Sequence, residues 1–203
     1  TQYPEKKLVL YRNYPDFDSS DIQINDTISA GKLKLVYAGL LGVAQGILRL
    51  CQNLEYDKIE LHIYGSGAEQ NSIETFIKDH PNLPVNFHGR VTREELHLVL
   101  PKYDVVLIPL LNRIYGSVPS KIFEYAKLGL PILYFGGGEG EGLVSKLNLG
   151  WVAKAGDYEY LNFVISKINR EELNLEFRKT IQETANTKFD FNKQLDSIIA
   201  HFQ

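Results

Sequence analysis

Apolar runs and amphipathic stretches alternate along most of this chain, and their order predicts an open parallel sheet. LKLVYAG from Leu33 and KIELHIYG from Lys58 are β-branched and aromatic runs ending in glycine, which marks them as strands. Between them Ala44 to Leu54 carries apolar residues at helical spacing, giving a first βαβ unit. Glu69 to Lys78 is the next predicted helix, VNFHG the next strand and Arg93 to Leu100 a further helix. YDVVLIPL is apolar throughout, the pattern of a strand buried on both faces. After the loop LNRIYGSV, a helix over Pro119 to Leu128 opens on proline and ends at Gly129. PILYF is a fifth strand, Glu141 to Leu147 a helix and GWVAKAGD a sixth strand.

The pattern changes at both ends. YLNFVISKI, EELNLEFRKTIQETANT and FNKQLDSIIAHF are amphipathic helices without intervening strands, expected to cap the sheet. LVLYRNYPDF gives a strand-and-turn signal before the polar DSSDIQINDTISAGK. Residues 1–32 therefore read as an interdomain linker with a remnant of a preceding domain, and 33–203 as the folded unit. The expected class is α/β: a Rossmann-like open parallel sheet with helices on both faces. Ligands of such sheets bind at the carboxyl ends of the strands, so the chemistry belongs in the glycine-bearing loops there.

Composition narrows this picture rather than changing it. With 203 residues, 44% hydrophobic and 23% charged, the chain suits one soluble globular core. A net charge of −3 with scattered Lys and Arg argues against nucleic acid as a partner. Cys51 lies in an apolar run and reads as a buried core thiol. No apolar stretch approaches the roughly 20 residues of a spanning helix, and TQYPEKK has no signal-peptide character. A cytoplasmic location is expected. Met is absent even from position 1, which suggests numbering that begins inside a longer polypeptide.

Four loops are candidates for chemistry. Gly39-Leu40-Leu41-Gly42 places amides near a helix start, where either a phosphate or a simple tight turn fits. Gly65-Ser66-Gly67 lacks the third glycine of a dinucleotide fingerprint and follows the second strand, so it reads as a turn. In His88-Gly89-Arg90-Val91-Thr92, Thr92 and Glu95 form a capping box, Arg90 is available to a phosphate or to solvent, and His88 reads as structural. The fourth, YGSVPSKIFEYAKLGLP, is the most informative. Gly116, Ser117 and Val118 can aim amides at an anion, with Ser120 and Lys121 in the first helical turn. A lysine there opposes the helix dipole unless an anionic ligand sits beside it, and Glu124 one turn later offers a carboxylate to vicinal hydroxyls. A surface Lys121–Glu124 pair is the bland alternative.

The succession VYAGLLGVAQG, LHIYGSG, VNFHGRV, YDVVLIPL and VPSKIFEYAKLGLPIL resembles the C-terminal, donor-binding domain of the retaining GT-B-fold glycosyltransferases of family 4, above all bacterial capsule and O-antigen sugar transferases. The resemblance covers nearly the whole chain. It implies a nucleoside-diphosphate sugar as donor, with UDP expected. Glu124 matches the second glutamate of the family's Glu-(seven residues)-Glu motif, which holds the ribose hydroxyls. Ser117 and Val118 match helix-start residues on the diphosphate, Arg90 and Val91 the stretch beside the base, and Gly39 and Gly42 the loop near phosphates and sugar. The first motif glutamate is Gly116 here, and Leu40 and Gln45 stand where basic residues are usual. Lys121 and Arg113 are the candidates to replace that charge, with Lys121 and Glu124 as the catalytic pair.

Asp and Glu residues do not gather at metal-ligand spacing, so helix-start amides and Lys121 are expected to do the work of a metal, with no cofactor besides the substrate. A glycan or lipid-linked acceptor would meet a separate N-terminal domain, and the full-length enzyme would associate with the inner face of the membrane. A nucleotide-binding or interaction module without turnover, and a GT-B-fold nucleotide-sugar epimerase, remain the alternatives.

Overall fold

A computed structural model describes residues 9–17, 24, 31–112, 116 and 118–202. Six strands form one sheet: β1 (Leu33–Leu40), β2 (Ile59–Ser66), β3 (Val85–Gly89), β4 (Val105–Pro109), β5 (Ile132–Gly136) and β6 (Gly150–Lys154). All neighbours pair in parallel, in the order β3-β2-β1-β4-β5-β6. The α/β class and the six strands are those the hydrophobic pattern predicts. β4 and β5 are buried at every position because helices cover both faces of the sheet, which is why their sequences run apolar instead of alternating.

Helices α1 (Ile47–Asn53), α2 (Gln70–Asp79) and α6 (Tyr158–Lys167) contribute Ile47, Leu50, Ile73 and Leu161 to one core, against Leu35, Leu61 and Leu107. Helices α3 (Arg93–Val99), α4 (Ser120–Lys127), α5 (Glu139–Lys146) and α7 (Leu175–Lys188) lie on the opposite face. There Ile122, Phe123, Val144 and Ile181 pack on Val36, Val106 and Ile108. Alternate residues of β1 thus serve different layers, the pleat of a central strand. The order of successive strands reverses between the parallel neighbours β1 and β4, where Leu35 pairs with Val105, and this switch opens a crevice at the strand ends.

Local chemistry sets the helix ends. Thr92 and Glu95 cap α3 reciprocally, as their spacing predicts. Gly129, at φ +66°, closes α4: its N–H reaches Ala126 O and the Leu130 N–H reaches Tyr125 O. Several boundaries differ from expectation. α1 starts at Ile47 rather than Ala44, because Gly46 takes a left-handed conformation at its N-cap. α5 starts at Glu139 rather than Glu141. The segment from Glu171 splits into a 3-10 turn, Arg170–Glu172, and α7, which Asn174 caps; α8 (Phe191–Phe202) follows.

The strand signal before residue 18 is not realised, since residues 9–17 hold no regular structure. They dock instead on the helical layer. The Tyr14 ring meets Phe123 at 5.0 Å and Phe189 at 5.5 Å, Lys127 Nζ donates to Pro15 O at 3.1 Å, and the Arg12 backbone exchanges two hydrogen bonds with the Gln194 amide.

Candidate donor-binding site

The carboxyl ends of the strands carry two hollows that meet at Leu40. The larger, about 390 Å³, is lined by Ala38, Gly39 and Leu40 at the end of β1, Tyr64 to Ser66 at the end of β2, and Arg90, Val91 and Leu96. The smaller, about 190 Å³, lies over the switch between β1 and β4, among Tyr37, Gln45, Pro109, Pro119, Ser120 and Lys121. Gly39, Arg90, Val91, Ser120 and Lys121 therefore line these two adjoining hollows, whereas Gly42 and Glu124 line neither. Arg113 and Ser117 lie outside the described residues. Gly116 takes φ +70°, and no described atom lies within 4 Å of where a side chain would begin, while Val118 is half-buried against the α4 layer.

The glycine loops divide into structural and open. A Cβ on Gly65 would fall on the Gly39 carbonyl oxygen, and one on Gly67 within 2.6 Å of Leu41 O. Both glycines thus exist for close approach of two backbones, in keeping with reading that loop as a turn. The loop after β1 is tied down too: the Leu41 N–H donates to Ser66 O, and the first N–H of α1, on Ile47, donates to Glu69 Oε2 at 3.1 Å. The anion position expected at that helix start is filled by the protein's own carboxylate. At Gly42, an added Cβ would lie 2.8 Å from Gln45 Oε1, a shielded acceptor without a partner among the described residues.

The start of α4 is different. Pro119 is its N-cap, no side chain caps it among the described residues, and its first turn carries no acid; the Ile122 N–H donates to Pro119 O at 3.0 Å, which leaves the Ser120 and Lys121 amides for a ligand. Lys121 turns back from this helix: Nζ donates to Ala38 O beneath Gly39 and sits 5.2 Å from the Tyr37 ring centre. Burial pulls its pKa down to about 8, with the Glu124 charge opposing. A second donor, Tyr125 Oη, shares the Ala38 carbonyl at 2.9 Å.

Glu124 does not pair with Lys121, so the bland surface pair is not what forms. Its Oε1 accepts from Arg93 Nε at 2.9 Å and His97 Nε2 at 2.8 Å, both on α3. Burial pushes the carboxyl up, but the His97 hydrogen bond and the Arg93 charge outweigh it and hold the pKa below the usual range. Sequence reasoning missed these two partners, although their i, i+4 spacing puts them on one face of α3. It also missed Tyr64, whose ring stacks on His88 at 4.4 Å and walls the larger hollow; His88 in turn shares a hydrogen with His62 at 2.9 Å, a structural histidine as expected. Cys51 is buried and its thiol pushed up to about 12. Among the described residues, no three His, Cys, Asp or Glu gather as metal ligands, and no helix is long and apolar enough to cross a membrane.

Residues 25–168 match the sequence profile of the family described as glycosyl transferases group 1. The chain belongs to that family. No curated relative matches it by sequence. The domain superposes on several GT-B glycosyltransferases at low identity, which speaks for the fold alone. TarM of S. aureus is 18% identical with a TM-score of 0.68, over 90% of this chain and 38% of that one. Sucrose-phosphate synthase of Thermosynechococcus elongatus is 19% identical with a TM-score of 0.70, over 86% and 46%. HepE of Anabaena, solved with UDP, is 17% identical with a TM-score of 0.67, over 85% and 49%. This glycosyltransferase domain thus spans less than half the length of each. The architecture expected from the resemblance, one half of a GT-B fold, is the one observed.

Proposed function

We propose that this domain is the donor-binding half of a retaining glycosyltransferase that moves a sugar from a UDP-sugar to a glycan or lipid-linked acceptor in cell-surface polysaccharide synthesis. The observation that carries the reading is the convergence, around Leu40, of the Arg90–Val91 hollow and the uncapped start of α4, with a carboxylate held ionised at Glu124 one turn on. In this assignment Arg90 and Val91 flank the base, Glu124 takes the ribose hydroxyls, and the amides of Gly116, Ser117, Val118 and Ser120 take the diphosphate. When the anomeric C–O bond breaks, its electron pair leaves with the diphosphate. Fixed N–H dipoles and the Lys121 charge are pre-set to stabilise that anion. HepE, solved with UDP, supports uridine as the base. No metal enters the scheme, and the acceptor is met by a further domain.

Calorimetric titration with UDP, GDP and ADP, each with and without EDTA, tests this. UDP is expected to bind best, with no effect of EDTA. A preference for GDP refutes the base assignment, and loss of binding on chelation refutes the metal-free scheme. One observation favours a second reading, a nucleotide-binding module without turnover: an exposed Leu40 and a neutral Gln45 border the place where a diphosphate would lie. Transfer by the full-length protein decides between the two.

A further inference from the structure

Two donors from α3 converge on a single oxygen of Glu124. Arg93 Nε reaches Oε1 at 2.9 Å and His97 Nε2 reaches the same atom at 2.8 Å, and both residues come from one face of one helix. No hydrogen bond to Oε2 is seen among the described residues, and the Glu124 side chain keeps 19% of its exposure. The imidazole is itself fixed: the Phe17 ring packs on it at 5.1 Å, while Leu96, its neighbour in sequence, lines the larger hollow. His97 thus stands between the segment entering the domain and the carboxylate assigned to the ligand.

A glutamate has three rotatable bonds, and a free one must be immobilised when a ligand binds. Here two hydrogen bonds, one from a permanent cation, fix the carboxylate plane beforehand. A surface ion pair built for stability gains little from such an arrangement, because most exposed pairs contribute almost nothing. With one oxygen doubly occupied and the other without a partner among the described residues, the carboxylate is a pre-oriented acceptor.

We propose that Arg93 and His97 are positioning residues: by holding Oε1 of Glu124, they present Oε2 to the vicinal hydroxyls of a nucleotide ribose. The inference rests on the ribose role assigned to Glu124 above. It predicts that removing either donor weakens recognition of the hydroxyls and leaves the rest of the nucleotide untouched.

The test uses the 203-residue chain and two ligands that differ by one hydroxyl, UDP and 2′-deoxy-UDP. Their affinity ratio is measured by calorimetry in the parent, Arg93→Ala, His97→Leu, His97→Gln and Glu124→Gln. The parent is expected to prefer UDP by about tenfold, the worth of one hydrogen bond to a charged group. Glu124→Gln should nearly abolish that preference. Arg93→Ala and His97→Leu should cut it to about threefold or less, with 2′-deoxy-UDP, which keeps only the 3′ hydroxyl, losing less affinity than UDP, and His97→Gln, which restores an N–H donor, should recover most of it. Arg93 is exposed, so its removal is expected to leave the fold intact and the result does not hang on the more buried His97. If Glu124→Gln abolishes the preference while Arg93→Ala and His97→Leu retain it, the positioning role is overturned. If Glu124→Gln also retains it, the ribose assignment falls first and the inference with it.

Discussion

Lys121 offers a measurement that needs no ligand. Its ammonium is buried beneath Gly39 against the Ala38 carbonyl, and its pKa drops from 10.5 to about 8. The unfolded chain therefore binds more protons than the native one between those values, and this group's contribution to stability rises with pH across that window. Linkage with these two pKa values gives a gain of about 2 kcal/mol between pH 7 and pH 9.5. Lys121→Met removes the titration but keeps an unbranched apolar stem, and the Ala38 carbonyl retains the Tyr125 hydroxyl as donor. Urea unfolding, followed by fluorescence of the single tryptophan, Trp151, would be compared at the two pH values. The parent is expected to gain about 2 kcal/mol on the variant as pH rises. The window must close below pH 10, because buried Tyr37 and Tyr125, held above their ordinary pKa, withdraw stability as the unfolded chain ionises. Parallel curves for the two proteins would mean that Lys121 is solvated, and would refute its burial under Gly39.

Three further outcomes are expected. Gly65→Ala should cost about 3 kcal/mol or prevent folding, because the new methyl would meet backbone rather than a yielding side chain; circular dichroism melting reads this, and a shift under 2 °C contradicts it. Gln45→Leu should stabilise the domain by about 1 kcal/mol by removing a shielded acceptor that has no partner among the described residues, so a destabilised variant in urea titration would mean that the amide is satisfied. The 203-residue chain should transfer no sugar to any acceptor in a radiolabelled-donor assay, hydrolysis being the most it does; robust transfer would place the acceptor site within this domain.

Hydrophobic pattern alone determined the strands, their parallel pairing and the helices between them. A strand such as VVLIP, apolar at each position, has no stable place except inside a sheet covered on both faces, and Thr92 with Glu95 starts a helix by bonds spanning three residues. The convergence of Gly39, Arg90, Val91, Ser120 and Lys121 was legible for the same reason, since strand ends of a parallel sheet meet on one side. What the sequence could not decide was which partner each polar side chain takes. Glu69 fills the start of α1 from 22 residues away, and Arg93 and His97 reach Glu124 across 31 and 27. Lys121 turned under β1, where Ala38 lies 83 residues back. Local spacing specifies elements because their hydrogen bonds are local. A charged group finds its partner only where packing brings distant loops together, so the electrostatics of this site came from the tertiary structure alone.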